Sequence, residues 1–335
     1  MNKQTCLTDR YGRFHNYLRI SLTERCNLRC FYCMPEEGIP IREKSHFMTQ
    51  EELLVIAKTF VELGVNKIRL TGGEPLIRKD AHQIIRQLAK LDVELAITTN
   101  GVLVDQFIDT FKASGIRAVN VSLDSLVEVK QNKISRRNYF KRVFNNICLL
   151  VDEGFYVKIN VVLIKDVNND EIIDFIELSK DKNIHIRFIE FMPFDGNKWD
   201  WSKGVGHKEI MDVVQGHYGK SNIKKEQANT NDTAKSYNIN GHKGTFGIIS
   251  SVTQPFCGGC NRIRLTADGK IKNCLFSNSE TDLLHALRNN TTSIYELIKN
   301  NVQSKKAERG GMKLFHKISD SSEITPNRSM VSIGG

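Results

Sequence analysis

Short runs of β-branched residues alternate with longer helical patterns from residue 17 to about residue 192. We predict six strands, at 17–21, 67–71, 94–98, 117–123, 156–164 and 185–191. This alternation is typical of repeated βαβ units, which form a parallel sheet with helices packed against it. Six units are too few to close the eightfold barrel, so the pattern predicts an α/β fold with a partial, open (β/α)6 TIM-like barrel.

The alternation fades after residue 193 into a polar stretch, 199–238, that is rich in Gly, Asn and Lys. We therefore predict a partial barrel over 1–193 and a C-terminal module over 194–335 that closes it. No run approaches the roughly 18 apolar residues that a membrane span requires, and charged residues are spread through the first thirty positions. We expect a cytoplasmic protein that is not exported and has no membrane partner.

Charged and polar side chains occupy alternate positions in four predicted strands, although strands of a covered parallel sheet are normally apolar on both faces. Successive side chains point to opposite faces, so each pair shares one face: Arg19/Ser21, Arg69/Thr71, Lys158/Asn160 and His185/Arg187. Burying a cation without a partner costs on the order of several kcal/mol per ion. Either carboxylates such as Glu74, Asp124 and Glu190 neutralise them, or a polyanionic ligand does. We favour the ligand, because four strands each contribute a cation.

The net charge of the chain and its loops agree with an anionic ligand. The formal charge is +10, which favours a nucleotide or nucleic acid but cannot choose between them. Unusual residues follow the predicted strands at their carboxyl ends, at 71–75, 98–101, 122–124 and 192–193. Active sites of parallel barrels lie at that rim.

Six of the eight cysteines form two tight groups: Cys26, Cys30 and Cys33, and Cys257, Cys260 and Cys274. Because a disulfide framework would spread them along the chain, this grouping favours metal. A cubane [4Fe-4S] cluster has four irons to ligate, so three thiolates would leave one iron open for a non-protein ligand. The alternative is a zinc site at either group, completed at the second group by His242.

Two further features flank the second group. Arg262 and Arg264 occupy alternate positions directly after Cys260, and arginine recognises phosphate or a purine edge in a planar, bidentate way. The alternative is a solvated surface pair. The chain ends in Gly334 and Gly335, which can approach a ligand closely or can form a disordered tail.

The cysteine spacing 26–30–33 with Tyr32, followed by Gly72-Gly73-Glu74, resembles the radical S-adenosylmethionine superfamily. A larger set of motifs resembles one family within it, the GTP 3′,8-cyclases of molybdenum cofactor biosynthesis (the MoaA family). The likeness runs nearly end to end, through residues 17–21, 26–33, 67–75, 157–160, 187–193, 257–268 and the terminal Gly-Gly.

The resemblance implies a reaction with two [4Fe-4S] clusters and S-adenosylmethionine as cofactors. An adenosyl radical would take hydrogen from C3′ of GTP, and the carbon radical would attack C8 of guanine. The product would be (8S)-3′,8-cyclo-7,8-dihydroguanosine 5′-triphosphate. Further implied partners are an electron donor such as flavodoxin or ferredoxin and, downstream, the cyclic pyranopterin monophosphate synthase. The resemblance leaves room for a homodimer and gives no role to nucleic acid.

Matched residue by residue, the resemblance implies distinct sets of contacts besides the six cysteine ligands. S-adenosylmethionine would be contacted by Tyr32, Gly73, Ser122 and Met192. The triphosphate of GTP would be held by Arg19, Arg69, Thr99 and Lys158, with Arg262 and Arg264 facing the nucleotide. The reacting groups would lie near Arg187 and near the tail, which reaches into the site with Gly334 and Gly335.

The sequence departs from the family pattern at Glu24, Asn146 and Asp166, which affects the expected loop geometry and no ligand position. Cys6 and Cys148 belong to neither group, and Cys148 is predicted to lie in a helix core. Two other functions stay open: a radical enzyme with an auxiliary cluster that modifies a peptide, and a zinc-bearing protein that binds nucleic acid, which the positive charge would suit.

Overall fold

One sheet of twelve strands runs through the molecule. The structure, a computed structural model, describes residues 6–35, 37–40, 42–197, 199–312 and 327–334. The sheet order is β12-β11-β10-β1-β2-β3-β4-β5-β6-β9-β8-β7. The strands are β1 Tyr17–Ser21, β2 Lys67–Thr71, β3 Glu94–Thr99, β4 Ala118–Ser122, β5 Tyr156–Leu163, β6 Ile184–Glu190, β7 Ile223–Lys225, β8 Lys235–Ile239, β9 Thr245–Ile249, β10 Arg262–Leu265, β11 Lys270–Lys272 and β12 Thr281–Asp282.

All six predicted strands are confirmed, each to within one residue at either end. Strands β1 to β6 pair in chain order, and every pair is parallel. Within the described residues the outermost strands β12 and β7 do not pair with each other, so the sheet stays open. The predicted α/β fold with a partial, open barrel is confirmed.

Helices connect the parallel strands as the βαβ pattern requires. Thr49 and Glu52 form a capping box at the start of the first helix, whereas Asp80 binds Arg78 and makes no side-chain cap on the second. The helices are α1 Gln50–Glu62, α2 Ala81–Leu88, α3 Ile108–Ala113, α4 Glu128–Ser135, α5 Phe140–Asp152, α6 Ile172–Glu177, α7 His207–Tyr218, α8 Leu283–Asn289, α9 Ile294–Gln303 and α10 Met330–Ile333.

The chain after residue 193 extends both edges of the six-stranded sheet. Strand β10 lies parallel to β1, and strand β9 lies parallel to β6. Helix α7, within the polar stretch that showed no clear pattern, buries only Ile210 and Val214. The division into 1–193 and 194–335 stays a prediction, because the sheet is continuous across it.

The outer face of the sheet forms the main core, and its residues alternate with the charged positions of the same strands. Leu18, Ile20, Ile68 and Leu70 are fully buried under the helices, as are their counterparts on β5 and β6. The other face therefore carries the polar residues. Among the described residues, no helix is long and apolar enough to cross a membrane.

Candidate active site

The strand register brings the predicted cations side by side on the inner face of the sheet. Arg19 on β1 pairs with Arg69 on β2 and, on its other side, with Arg264 on β10. On the far side, Asn160 of β5 pairs with Arg187 of β6, and Lys158 lies two residues before Asn160 on the same face. We call the inner-face residues Arg19, Arg69, Lys158, Arg187 and Arg264 the lumen cations.

The sheet curves, so that these charges act on each other across several strands. Burial, and after it repulsion by Arg69 and Arg19, lowers the pKa of Arg187 to about 9. Burial and then Arg187 and Arg69 lower the pKa of Lys158 to about 8. Because both shifts oppose the charged form, a polyanion bound among these side chains would relieve a repulsion that the fold has created.

The three carboxylates that could have neutralised the lumen cations are engaged elsewhere. Glu74 accepts hydrogen bonds from the Thr99 hydroxyl at 2.7 Å and from the Asn100 amide at 2.6 Å. The other two behave alike: Asp124 binds Tyr32 and the amide of Val162, and Glu190 binds the amides of Val252 and Thr253. The expectation of an anionic ligand therefore gains weight over internal neutralisation.

The positive charge that β6 contributes to the inner face comes from Arg187, because its other basic side chain, His185, is neutral. Burial lowers the pKa of His185 to about 3, and its Nδ1 lies 2.6 Å from the Thr245 hydroxyl, so the imidazole is neutral. Arg187, in contrast, has buried Nε and Nη2 atoms without a hydrogen-bond partner. Buried guanidinium donors normally bind an acceptor, which marks Arg187 as facing a ligand position.

The first cysteine group follows β1 and packs closely against the carboxyl end of β2. The amide of Gly73 donates to the Thr23 carbonyl at 2.7 Å, and the amide of Glu74 donates to the Arg25 carbonyl at 2.8 Å. A Cβ on Gly73 would lie 2.2 Å from the Arg25 carbonyl oxygen. Glycine is therefore required here by the close approach of the cysteine loop.

The thiols of the first group suit a metal cluster. Burial, followed by repulsion from Asp124 and from neighbouring thiols, raises the pKa of Cys33 to about 12 and that of Cys30 well above its ordinary value. Cys26 Sγ accepts from the Leu28 amide at 3.4 Å and from Asn100 Nδ2 at 3.7 Å. Buried thiolates need a cationic metal to be stable, and N–H donors directed at sulfur are the outer contacts that such ligands use.

Among the residues that the structure describes, no three His, Cys, Asp or Glu side chains converge on a point that would hold one metal ion. A cubane cluster has a different requirement, because each thiolate binds a different iron. His242 lies away from the second cysteine group, with Nδ1 3.3 Å from Ser179 Oγ and Nε2 3.7 Å from Glu177 Oε1. It does not complete a zinc site there.

The residues predicted to contact S-adenosylmethionine lie along the rim of the sheet. Ser122 ends β4, and Met192 follows β6. The Tyr32 hydroxyl donates to Asp124 Oδ2 at 2.7 Å, and burial raises the pKa of Asp124 to about 6. Tyr32, Met192 and Cys274 all pack against one apolar cluster, so both cysteine loops adjoin the same region of the inner face, which we call the chamber. The contacts themselves stay predictions.

The second cysteine group has Cys257 and Cys260 before β10 and Cys274 after β11, and cations lie around it. The Lys305 ammonium, 3% exposed, donates to Cys260 Sγ at 3.3 Å and to the Arg262 carbonyl at 3.0 Å. Burial opposes ionisation of Cys260, but Lys305 and Arg262 outweigh it and lower its pKa to about 6. The Arg309 amide donates to Cys257 Sγ at 3.5 Å. These contacts fit thiolates that hold an anionic cluster.

The C-terminal tail enters the chamber beside the lumen cations. The Gly334 carbonyl accepts from Arg264 Nη1 at 2.5 Å. Gly334 has φ +85°, and a Cβ there would lie 2.6 Å from Thr71 Oγ1, so only glycine fits. The tail thus reaches the face that carries Arg264. Gly335 lies outside the described residues.

Thr99 and Arg262, both predicted to contact the nucleotide, make side-chain contacts within the protein that the sequence did not indicate. Thr99 is 2% exposed, and its hydroxyl donates to Glu74; the register places Thr98, not Thr99, on the lumen face. The Arg262 guanidinium lies over the Phe256 ring at 4.9 Å. Both roles stay predictions.

The departures from the family pattern have local explanations. Asp166 adopts φ 60°, a conformation that glycine takes more easily. Asn146 donates from Nδ2 to the Gly101 carbonyl at 2.8 Å and so stabilises the turn after β3. Glu24 accepts hydrogen bonds from Arg42.

Several residues around the site were missed by the sequence analysis. Lys305, Arg13 and Arg328 lie far along the chain from the motifs they support, and none falls in a strand with alternating charge. Arg13 donates to the carbonyls of Cys257 and Ala307, at 2.9 and 2.7 Å. Only the density of cations near the second cysteine group could have suggested such contacts.

Comparison with known families agrees with this site. The model of the Radical SAM superfamily matches residues 20–179, and the model described as Molybdenum Cofactor Synthesis C matches residues 184–310. The fold and the cysteine groups therefore define a radical S-adenosylmethionine enzyme, which uses that cofactor and an iron-sulfur cluster.

Curated relatives narrow this class. The chain is 46% identical to "GTP 3′,8-cyclase, mitochondrial" of Arabidopsis thaliana, over 98% of this chain and 83% of the relative. It is 40% identical to the GTP 3′,8-cyclase of Alkaliphilus oremlandii (strain OhILAs), over 98% of this chain and all of the relative. The chain belongs to the GTP 3′,8-cyclase family, as its motifs predicted.

Two further similarities are less complete. "Molybdenum cofactor biosynthesis protein 1" of Homo sapiens is 44% identical over 91% of this chain, which spans only 49% of that protein. The solved structure of Streptococcus suis SuiB bound to S-adenosylmethionine matches 96% of this chain and 75% of SuiB, with a TM-score of 0.63 and 14% identity. At that identity the likeness concerns the fold alone.

Proposed function

We propose that the chain converts GTP to (8S)-3′,8-cyclo-7,8-dihydroguanosine 5′-triphosphate, the first step of molybdenum cofactor biosynthesis. The observation that carries this proposal is the set of lumen cations, which lies in a chamber bordered by both cysteine loops. A triphosphate carries several negative charges and would offset the burial and the repulsion that together lower the pKa of Lys158 to about 8. The names of the relatives support the same substrate.

The proposed cofactors are two [4Fe-4S] clusters and S-adenosylmethionine. The ligands would be Cys26, Cys30 and Cys33 for one cluster and Cys257, Cys260 and Cys274 for the other. Reductive cleavage of S-adenosylmethionine at the first cluster would supply a 5′-deoxyadenosyl radical. The second cluster would hold the purine through its open iron.

The residues of the chain then position the nucleotide. Arg19, Arg69 and Lys158 bind the triphosphate, while Arg262 and Arg264 hold the nucleotide next to the second cysteine group. Arg187 extends its unpartnered Nε and Nη2 towards the reacting ribose and base. The apolar cluster beside Tyr32 and Met192, to which Ile333 of the tail belongs, excludes water that would quench a radical.

The atoms and electrons of the proposed reaction balance with two electrons from a donor. The first electron would cleave S-adenosylmethionine to methionine and the 5′-deoxyadenosyl radical. That radical would take the C3′ hydrogen to give 5′-deoxyadenosine, and the C3′–C8 bond would form. The cyclised purine radical would take the second electron and one proton.

The test is anaerobic reconstitution with iron and sulfide, followed by incubation with S-adenosylmethionine, a strong reductant and GTP. We expect 5′-deoxyadenosine and a cyclised nucleotide in equal amounts. Peptide turnover without any response to GTP would instead identify a peptide-modifying radical enzyme. A colourless protein with about two zinc ions would point to a nucleic-acid-binding protein.

Replacing Lys158 by Ala should weaken the binding of GTP roughly 10- to 100-fold, because a charge-assisted hydrogen bond contributes about 1.5–3 kcal/mol. Guanosine, which lacks phosphate, should lose little affinity. Equilibrium dialysis of both ligands measures the difference. The matched control is Lys208→Ala, which removes an exposed lysine paired with Asp212 on α7. Equal losses for both ligands would overturn the phosphate role.

The same side chain predicts a pH dependence of GTP binding. Lys158 is charged below its pKa of about 8 and loses its charge above it. Bound phosphate favours the charged form, so GTP affinity should fall as the pH rises from about 7 to about 9. The Lys158→Ala variant should show a smaller fall over that range. A wild-type affinity that rose with pH would contradict the proposed contact.

Other parts of the proposal concern the setting of the reaction. We propose flavodoxin or ferredoxin as electron donor and the cyclic pyranopterin monophosphate synthase as the enzyme that takes the product. A cytoplasmic location, a homodimer and the two-domain division at residue 193 stay predictions. Fractionation, sedimentation and limited proteolysis would test them.

A further inference from the structure

A cluster of five charged side chains joins the C-terminal tail to the body of the molecule. Arg328 donates from Nη1 to Asp268 Oδ1 at 2.9 Å and from Nη2 to Asp268 Oδ2 at 3.0 Å. Its Nη2 also donates to Glu280 Oε2 at 2.6 Å. Arg42 binds Asp268 at 3.1 Å and binds Glu24 as well. We call Glu24, Arg42, Asp268, Glu280 and Arg328 the tail clamp.

The tail clamp has the geometry of a strong ionic contact. Asp268 is 5% exposed, and its two oxygens accept the parallel donors of one guanidinium, which is the bidentate arrangement. Although burial alone would raise the pKa of Asp268, Arg328 and Thr266 lower it to about 2. The carboxylate is therefore charged throughout the physiological range, and the contact is not a solvated surface pair.

The residue before Arg328 is fixed as well. The Asn327 amide donates to Asp195 Oδ1 at 2.9 Å, and Asn327 Nδ2 donates to the Leu275 carbonyl at 2.9 Å. Lys272 Nζ donates to Asn327 Oδ1 at 3.0 Å. Two adjacent residues thus anchor the start of the tail at a site built from three separate segments.

From this anchor the tail runs directly to the lumen cations. Helix α10 buries Val331 and Ile333, each 1% exposed, and delivers the Gly334 carbonyl to Arg264. A helix of one turn has little stability of its own, and chain ends are poorly ordered unless they are tied down. The position of Gly334 therefore depends on contacts outside the helix.

We propose that Arg328 is a positioning residue for the reaction: through Asp268 and Glu280 it holds the tail so that Gly334 orients Arg264 in the nucleotide chamber. Glu24 lies two residues before Cys26, so the same clamp links the tail to the loop of the first cysteine group. The effect on turnover rests on the proposed function, whereas the anchoring of the tail does not.

The test compares Arg328→Gln and Arg328→Lys with wild type in two measurements on the full chain. The first measurement is the hydrogen-exchange rate of the Ser332 and Gly334 amides, which donate hydrogen bonds to the carbonyls of Ser329 and Met330. We expect exchange at least tenfold faster in Arg328→Gln and an intermediate rate in Arg328→Lys, which keeps the charge but loses the bidentate contact. Glu280→Gln should also make exchange at these amides faster, by a smaller factor than Arg328→Gln.

Turnover separates positioning from a merely structural role. In Arg328→Gln we expect kcat for GTP to fall at least tenfold, while binding of S-adenosylmethionine stays at the wild-type level. The control is Arg142→Gln, which breaks an exposed ion pair with Asp105 and should change neither measurement.

Wild-type exchange rates in Arg328→Gln, or a released tail with unchanged kcat, would each overturn the proposal. If wild-type protein did not turn over GTP at all, the proposed function would fail. The exchange measurement would still show whether Arg328 anchors the tail.

Discussion

Replacing Cys30 by Ser should nearly eliminate the cleavage of S-adenosylmethionine to 5′-deoxyadenosine. The first cysteine group has three thiols for four irons, so the loss of one leaves a cluster that the loop cannot retain. Cys30 lies between Cys26 and Cys33 in a half-buried loop, and burial, followed by the charges of Asp124, Cys33 and Cys26, raises its pKa. We expect a loss on the order of 10³-fold, larger than the 10–100-fold that removal of an outer-shell partner costs.

The matched control for this variant is Cys148→Ser. Cys148 lies on α5 in neither group and is half-buried, so its replacement removes a thiol without touching a proposed ligand. Iron, sulfide and 5′-deoxyadenosine are measured in both variants after anaerobic reconstitution. A Cys30→Ser protein with the iron content and cleavage rate of wild type would remove the first group from the chemistry.

Replacing Cys274 by Ser should separate the two halves of the reaction. Cys274 belongs to the second group, where its charge acts on Arg264. We therefore expect S-adenosylmethionine to bind with wild-type affinity. It should be cleaved slowly to 5′-deoxyadenosine, without formation of the cyclised nucleotide. Formation of the cyclised nucleotide should fall on the order of 10³-fold, because the purine would lose its metal contact.

The same separation is expected for Cys257→Ser and Cys260→Ser. The measurements are isothermal binding of S-adenosylmethionine and chromatography of 5′-deoxyadenosine against the cyclised nucleotide. If Cys274→Ser lost cofactor cleavage and cyclisation together, the two groups would not have separate roles. If it kept cyclisation, the second cluster would have no part in the reaction of GTP.

Much of this site could be predicted from side-chain parity in single strands. Because neighbouring side chains of a strand alternate between faces, Arg19, Arg69, Lys158 and Arg187 had to share the face opposite Leu18, Ile68 and Val157. The cysteine spacings are equally local, since each group draws on one short segment or on two that adjoin in the fold. Local patterns of this kind need no knowledge of the register between strands.

The partners of these residues could not be predicted in the same way. Lys305 reaches Cys260 across 45 positions of sequence, and Arg328 reaches Asp268 across 60. Thr99 followed the family pattern as a nucleotide contact, but the register between β3 and β4 places Thr98 on the lumen face. Such contacts depend on how distant segments pack, and no periodicity in the chain records them.

The sequence by itself determined the parallel α/β fold, the two cysteine groups and the charged face of the sheet, since each follows from side-chain spacing within a segment. Tertiary structure alone decided that Glu74, Asp124 and Glu190 bind other partners, which leaves the lumen cations to face a ligand position. It also decided that the tail reaches Arg264. The physical reason is that electrostatic interactions depend on distances in space, and only the curvature of the sheet and the packing of the tail set those distances.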